Sequence, residues 1–213
     1  MSFKFKKASC VVVGTFNMYI IHPKWLVKHN IIQDEVEVNI QFNLEQAGFR
    51  YHILKHKVTW NVAPDRIVVE SEDPEIDCGE FISKVLDKLR ETPLFAIGNN
   101  VTYEAEKDES TLLAQPIRDF ISATSHIGLE TLKQQSFHVA LEPREHEIIN
   151  LQISIKNDGI MLTCNVHTNL RDRLDACDAA VQAAKRFIED RNSVKPLVHH
   201  YFGMMIEHDT YNT

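Results

Sequence analysis

The chain has 213 residues, enough for one large domain or two small ones, and its 44% hydrophobic and 25% charged residues are globular averages. A formal net charge of −7, with acids and bases interspersed, argues against a nonspecific nucleic-acid binder, which carries a basic face. No apolar run approaches the roughly 18 residues of a membrane span, and four widely spaced cysteines form neither a CxxC pair nor a disulfide framework.

Those cysteines (Cys10, Cys78, Cys164, Cys177) point to a reducing compartment. The opening MSFKFKK followed by a short apolar run is not a signal peptide, so a cytoplasmic protein without a membrane segment is expected. Lys4, Lys6 and Lys7 read as a solvated end.

Residues 9–21 read as a strand interrupted at Gly14, ended by His22-Pro23, with a short helical turn over 24–30. Val36, Val38, Ile40 and Phe42 alternate with polar residues, the pattern of a half-buried strand. After a turn at Gln46-Ala47-Gly48, residues 49–62 form a strand that returns through Ala63-Pro64-Asp65-Arg66 to pair with 67–72. Asp77 and Glu80 form a capping box for a helix over 78–91, with Phe81, Ile82, Val85, Leu86 and Leu89 on one face. Pro93 stops it, and 94–106 resumes as strand, with Gly98 marking a bulge or a close backbone approach.

Ser110 is a candidate cap for a helix to about Ala123, kinked or delayed by Pro116. Residues 125–135 read as a linker. The grammar then repeats. Strands around 137–141 and 149–155, a hairpin turn at Asn157-Asp158-Gly159, a strand over 160–166 and a helix over 171–191 follow, with a helical tail at 197–205. The fold class is therefore α+β: antiparallel sheet meanders with helices packed on one face, built as two pseudo-repeated βββα units. The chain forms a single globular domain over 1–213, with sub-units 1–124 and 136–213 joined by the 125–135 linker.

Phosphate-cradling loops and a nucleophile elbow are absent from the sequence, which has only seven glycines. Pro64-Asp65 followed by Glu70-Ser71-Glu72 resembles the PD…ExK arrangement of metal-dependent nucleases, in which an Asp and a Glu hold a divalent ion and a Lys activates water. Glu72 stands where that Lys belongs, so Asp65, Glu70 and Glu72 are an alternative site with the chemistry incomplete. His52 and His56, four apart on one strand, lie roughly 13 Å from each other, too far to share an ion. The cluster Glu142, Glu145, His146, Glu147 reads as a solvated acidic turn. Asp172, Asp175 and Asp178 suit the positive end of a helix, and the adjacent His199 and His200 point different ways. The polar anomaly is Asn99-Asn100 inside a strand, where one of the two must face inward and find partners. They are the expected polar site.

The segment from Pro64 to Tyr103 resembles the core of an uncharacterised bacterial protein family. The likeness rests on Pro64-Asp65-Arg66, an acidic loop, a helix, Thr92-Pro93, and Ala96, Gly98 and Asn100. It implies a bacterial or phage setting and carries over no catalytic residue. The expected function is binding, as a non-enzymatic subunit of a protein assembly or a homo-oligomer, with no cofactor and no catalytic or metal-ligating set. A divergent metal-dependent nuclease or hydrolase, and a small-molecule sensor, are the alternatives.

Overall fold

Apolar–polar alternation with period two runs through most of the chain, and it folds accordingly into a wide antiparallel sheet backed by helices. A computed structural model describes residues 2–33, 38–43, 48–105, 134–156, 159–202 and 205–206. In chain order the elements are β1 (Ser2–Gly14), α1 (Pro23–Lys28), β2 (Val38–Asn43), β3 (Gly48–Ile53), β4 (Val58–Ala63), β5 (Arg66–Ser71), α2 (Cys78–Lys88) and β6 (Leu94–Ala105). They continue with β7 (Gln134–Arg144), β8 (Glu147–Lys156), β9 (Gly159–Asn169), α3 (Ala176–Lys185), α4 (Phe187–Phe202) and the two-residue β10 (Met205–Ile206).

The strands lie in the order β2-β3-β4-β5-β1-β6-β9-β8-β7, and β10 pairs in parallel with the start of β1. This order repeats itself. Each half lays down one leading strand, then a meander whose last strand returns beside the leader, then a helix: β5 pairs β1 and β9 pairs β6. The two leaders pair antiparallel with each other, as a two-fold axis between the halves would require, and this seam fuses both halves into one sheet. The repeating unit is thus longer than βββα, because the leading strand belongs to it.

Several boundaries differ from the sequence expectation for physical reasons. β1 begins at Ser2 rather than residue 9, since Phe3 and Phe5 alternate with Lys4 and Lys6 and can pair with β6 and β10. It stops at Gly14, where backbone bonds from Gly14 and Phe16 to the Pro64–Asp65 turn and from Thr15 to Pro93 take over. The strand expected over 49–62 is two strands. Leu54–His56 form a 3-10 turn, and Lys57 at φ 50° reverses the chain, so the first meander has four strands. The helix expected over 171–191 starts only at Ala176, because Asp172 takes a left-handed φ of 62°, and it breaks at Arg186 between α3 and α4. The helix expected from Ser110 to Ala123, nearly all of the 125–135 linker and the turn residues Asn157 and Asp158 lie outside the described residues.

The core sits between the sheet and the helices. α2 lies over β1 and β5, α3 over β6, and the two helices pack on each other above the seam. Asp77 caps α2 by accepting the Glu80 N–H at 3.0 Å, as the capping box predicts. Trp60, Ile67, Ile82, Leu86 and Ile97 are fully buried; an aliphatic side chain so placed stabilises the fold by about 1.5–3 kcal/mol relative to exposure. None of the described helices is long and apolar enough to cross a membrane.

The helix pair closes tightly at Gly79, where an added Cβ would lie 2.0 Å from the Ala184 carbonyl oxygen and 2.5 Å from the Phe187 Cβ. Gly79→Ala should therefore cost about 1–3 kcal/mol through forced separation of α2 from α3. Urea unfolding checks this as a lowered midpoint at unchanged slope; an unchanged midpoint would mean that the helices approach less closely.

Candidate functional site

Asn99 and Asn100 stand back to back on β6, one step from the pseudo-symmetry seam, and each heads a different polar network. β6 is central, so period two sends Asn99 to the face covered by α2 and α3 and Asn100 to the opposite face, on which none of the described helices packs.

On the covered face, Asn99 is buried and its Nδ2 donates to the Ala183 carbonyl at 2.9 Å and to Asp190 Oδ2 at 2.7 Å. Asp190 is also buried, and its Oδ1 lies 3.8 Å from Arg186 Nε. The Arg186 guanidinium reaches in turn to Glu147, donating from NH2 to Oε2 at 2.6 Å, and Arg144 approaches the same carboxylate at 3.7 Å. Two carboxylates thus share two guanidinium groups between β8 and the α3–α4 junction. Burial raises the Asp190 carboxyl above its ordinary value, and the Asn99 hydrogen bond and the Arg186 charge only partly offset it. Breaking such a set by deleting one partner leaves an uncompensated buried charge, the costly case. Arg191 extends the cluster, bonding to the Pro74 carbonyl and lying over the Phe5 ring at 5.9 Å.

On that opposite face the amides form a directed chain. Asn100 Nδ2 contacts Ser9 O and Ser9 Oγ at 3.4 Å each. Asn165 Nδ2 donates to Asn100 Oδ1 at 2.7 Å, and Asn150 Nδ2 donates to Asn165 Oδ1 at 3.3 Å. His138 Nε2 lies 3.1 Å from Asn150 Oδ1, and since an amide oxygen only accepts, Nε2 carries the proton. Every donor in this chain points the same way, from β7 to β1, so the amide dipoles reinforce one another. Gly98 makes room for it: a Cβ there would lie 2.8 Å from Asn165 Nδ2. No register shift occurs at Gly98, so of the two expected readings it is the close approach that holds.

The polar row continues across the other half. Ser9 is paired with Glu70, Glu70 with Thr59, and Thr59 with His52. Glu70 lies 3.6 Å from Lys7 and 3.5 Å from Arg50, and His52 Nδ1 lies 2.9 Å from Thr59 Oγ1. Two open grooves adjoin here and share Arg50. One, of about 750 Å³, is lined by Lys7, His52, Thr59 and Glu70; the other, of about 1040 Å³, by Gln41, Asn61, Arg66 and Val68. Successive side chains in the row belong to neighbouring strands, so they repeat at about 4.8 Å.

The remaining sequence candidates disperse. Asp65 sits in the β4–β5 turn, where hydrogen bonds from Arg66 hold its carboxyl below the ordinary value. Glu70 stands five residues along an extended strand, roughly 16 Å away, and Glu72 lies past the end of β5. The three carboxylates therefore do not converge on an ion. His56 is in the 3-10 turn, accepting the Gln33 N–H at 3.3 Å, not on a strand with His52. Of the acidic turn, Glu147 alone points inward, while Glu145 and His146 pair at 3.6 Å on the surface. Asp172 precedes α3, Asp175 pairs with Arg173 at 2.7 Å, and Asp178 with Arg90 at 3.0 Å. His199 and His200 are exposed on the last turn of α4. Among the described residues no three His, Cys, Asp or Glu side chains gather as a metal site. The Cys78 and Cys164 thiols are pushed up to about 12, chiefly by burial, and are poor nucleophiles.

Comparison with protein-family models and with curated proteins gives no match.

The sign of the Asp190 shift is testable. Its folded-state carboxyl binds its proton more tightly than the unfolded one, so folding stability falls as pH rises from the ordinary carboxylate value through the raised one. Asp190→Asn removes that slope. Urea titrations of both proteins across this window should show wild type losing stability relative to the variant as pH rises, then running parallel to it. The opposite trend would mean that the Arg186 attraction outweighs burial.

Proposed function

We propose that the chain acts by binding, as a subunit of a protein assembly, and that its partner lies on the face of the sheet opposite the described helices. One observation carries this reading: a half-exposed row of amide, hydroxyl, carboxylate and imidazole groups crosses eight strands of that face from His52 to His138. Asn165 and Asn150 each direct one N–H to the next amide of the row, and each amide group has a second N–H to offer a ligand. The adjoining grooves give that ligand depth over β3, β4 and β5.

Four free cysteines support a reducing compartment, hence the cytoplasm. The likeness of residues 64–103 to an uncharacterised bacterial family is what suggests a bacterial or phage setting, with antiphage defence as one form of it. The net charge disfavours nucleic acid as the partner.

The test is recovery of the tagged chain and of Asn165→Arg from the native host, each weighed as intact complexes. The wild type should hold a stoichiometric partner, and the arginine, thrust into the middle of the row, should weaken it by roughly tenfold or more, as for a central interface position. Equal recovery by both proteins would remove the partner from this face. No partner on either would end the binding reading.

A further inference from the structure

The two ends of the sheet are built differently. Edge strand β7 carries a histidine, a glutamate, a proline and an arginine (His138, Glu142, Pro143, Arg144) and a register shift between Leu141 and Arg144. These are the devices by which a protein keeps an edge from pairing with another strand. Edge strand β2, Val-Asn-Ile-Gln-Phe-Asn over 38–43, has no charge, no proline and a regular register with β3. Its second row of backbone N–H and C=O groups faces away from β3. The side chains are exposed too: Ile40 at 60% and Phe42 at 48% on one face, Asn39 and Gln41 on the other. Behind them stands an aromatic cluster, with Phe42 and Phe49 ring centroids 5.0 Å apart and Tyr19 5.9 Å from Phe49, and Tyr19 is itself 69% exposed.

We propose that β2 is a dimer edge, and that its occupant is β2 of a second copy of this chain, running antiparallel across a two-fold axis through Ile40. The inference rests on the reading of the chain as an assembly subunit and names the surface for self-association. A free ladder of backbone groups takes an extended strand, and the side chains decide which one. About a two-fold at Ile40, Ile40 meets its own copy, Val38 meets Phe42, and Asn39 meets Gln41. Apolar stays with apolar on one face and amide with amide on the other. Charge permits the pairing within the strand: residues 38–43 carry none, so this register sets no like charges of β2 opposite each other. The contact is isologous and therefore closes at two copies, continuing one sheet into the next.

The experiment is the mass in solution of the full chain, by native mass spectrometry and sedimentation across a concentration series. Wild type is expected as a dimer. Ile40→Lys and Ile40→Glu each place like charges directly opposite across the axis and should weaken self-association by roughly tenfold or more. At protein concentrations where wild type has dissociated, their thermal midpoints should match it, since residue 40 is solvent-facing, which separates lost pairing from lost folding. An equimolar mixture of the two variants should restore the dimer, because only this register sets residue 40 against residue 40. A monomeric wild type, a dimer untouched by Ile40→Lys, a mixture that stays monomeric, or a strand of another protein on β2 would each overturn the proposal. The Asn165→Arg protein should remain dimeric, so loss of the open-face partner and loss of the dimer are told apart.

Discussion

The rest of the structure depends on the pairing of β1 with β6. Those two strands come from different halves, and their ladder runs from Lys4–Glu104 to Gly14–Leu94. Everything else is placed by it: β5 and β9 dock on the outer sides of the two leaders, and α2 and α3 meet above the seam because each follows the strand that docks. A slip of one residue in this register would exchange Asn99 with Asn100, putting the buried amide in solvent and the open-face amide under the helices. Asn99 guards against that slip, because only its position meets Asp190 and the Ala183 carbonyl.

Two neighbouring amides thus separate the tasks of the molecule. The inward one ties the sheet to the α3–α4 junction through charges that need one another, an arrangement that specifies geometry more than it adds stability. The outward one belongs to a row of polar groups that links neighbouring strands across the sheet. The carboxylates that resembled a nuclease motif are spread along a strand. The open-face row is what supports the binding role proposed above.

Much of the fold was legible in the sequence because it is local. Alternation marked β2, β4, β8 and β9, the capping box marked α2, and two-residue turns fixed hairpin registers. Counting back from Lys156 opposite Gly159 sets Asn150 against Asn165, and counting back from Ala63 opposite Arg66 sets Thr59 against Glu70. Half of the polar row could have been read this way. The other half could not, because the seam between β1 and β6 joins strands with no short turn between them. The same is true of the buried charges. Arg186, at the α3–α4 junction, and Asp190 are four apart, beside Ala183, Phe187 and Val194, a hint of charge among apolar residues, but their partners Glu147 and Asn99 come from distant strands. Lys4, Lys6 and Lys7 misled in the other direction, since their spacing hid the alternation of Phe3 and Phe5.

The seam also sets the order in which the molecule can form. Ser9 and Asn100 are 91 residues apart, so β1 must wait for both of its neighbours, which follow it in the chain, to be synthesised. Until β6 arrives, β1 and β5 present an apolar face with no helix pair complete above it. Non-local pairings of this kind carry the loop-closure cost before any reward and make folding slow. The nascent first half is therefore the form of this protein most exposed to misassembly and most in need of a chaperone.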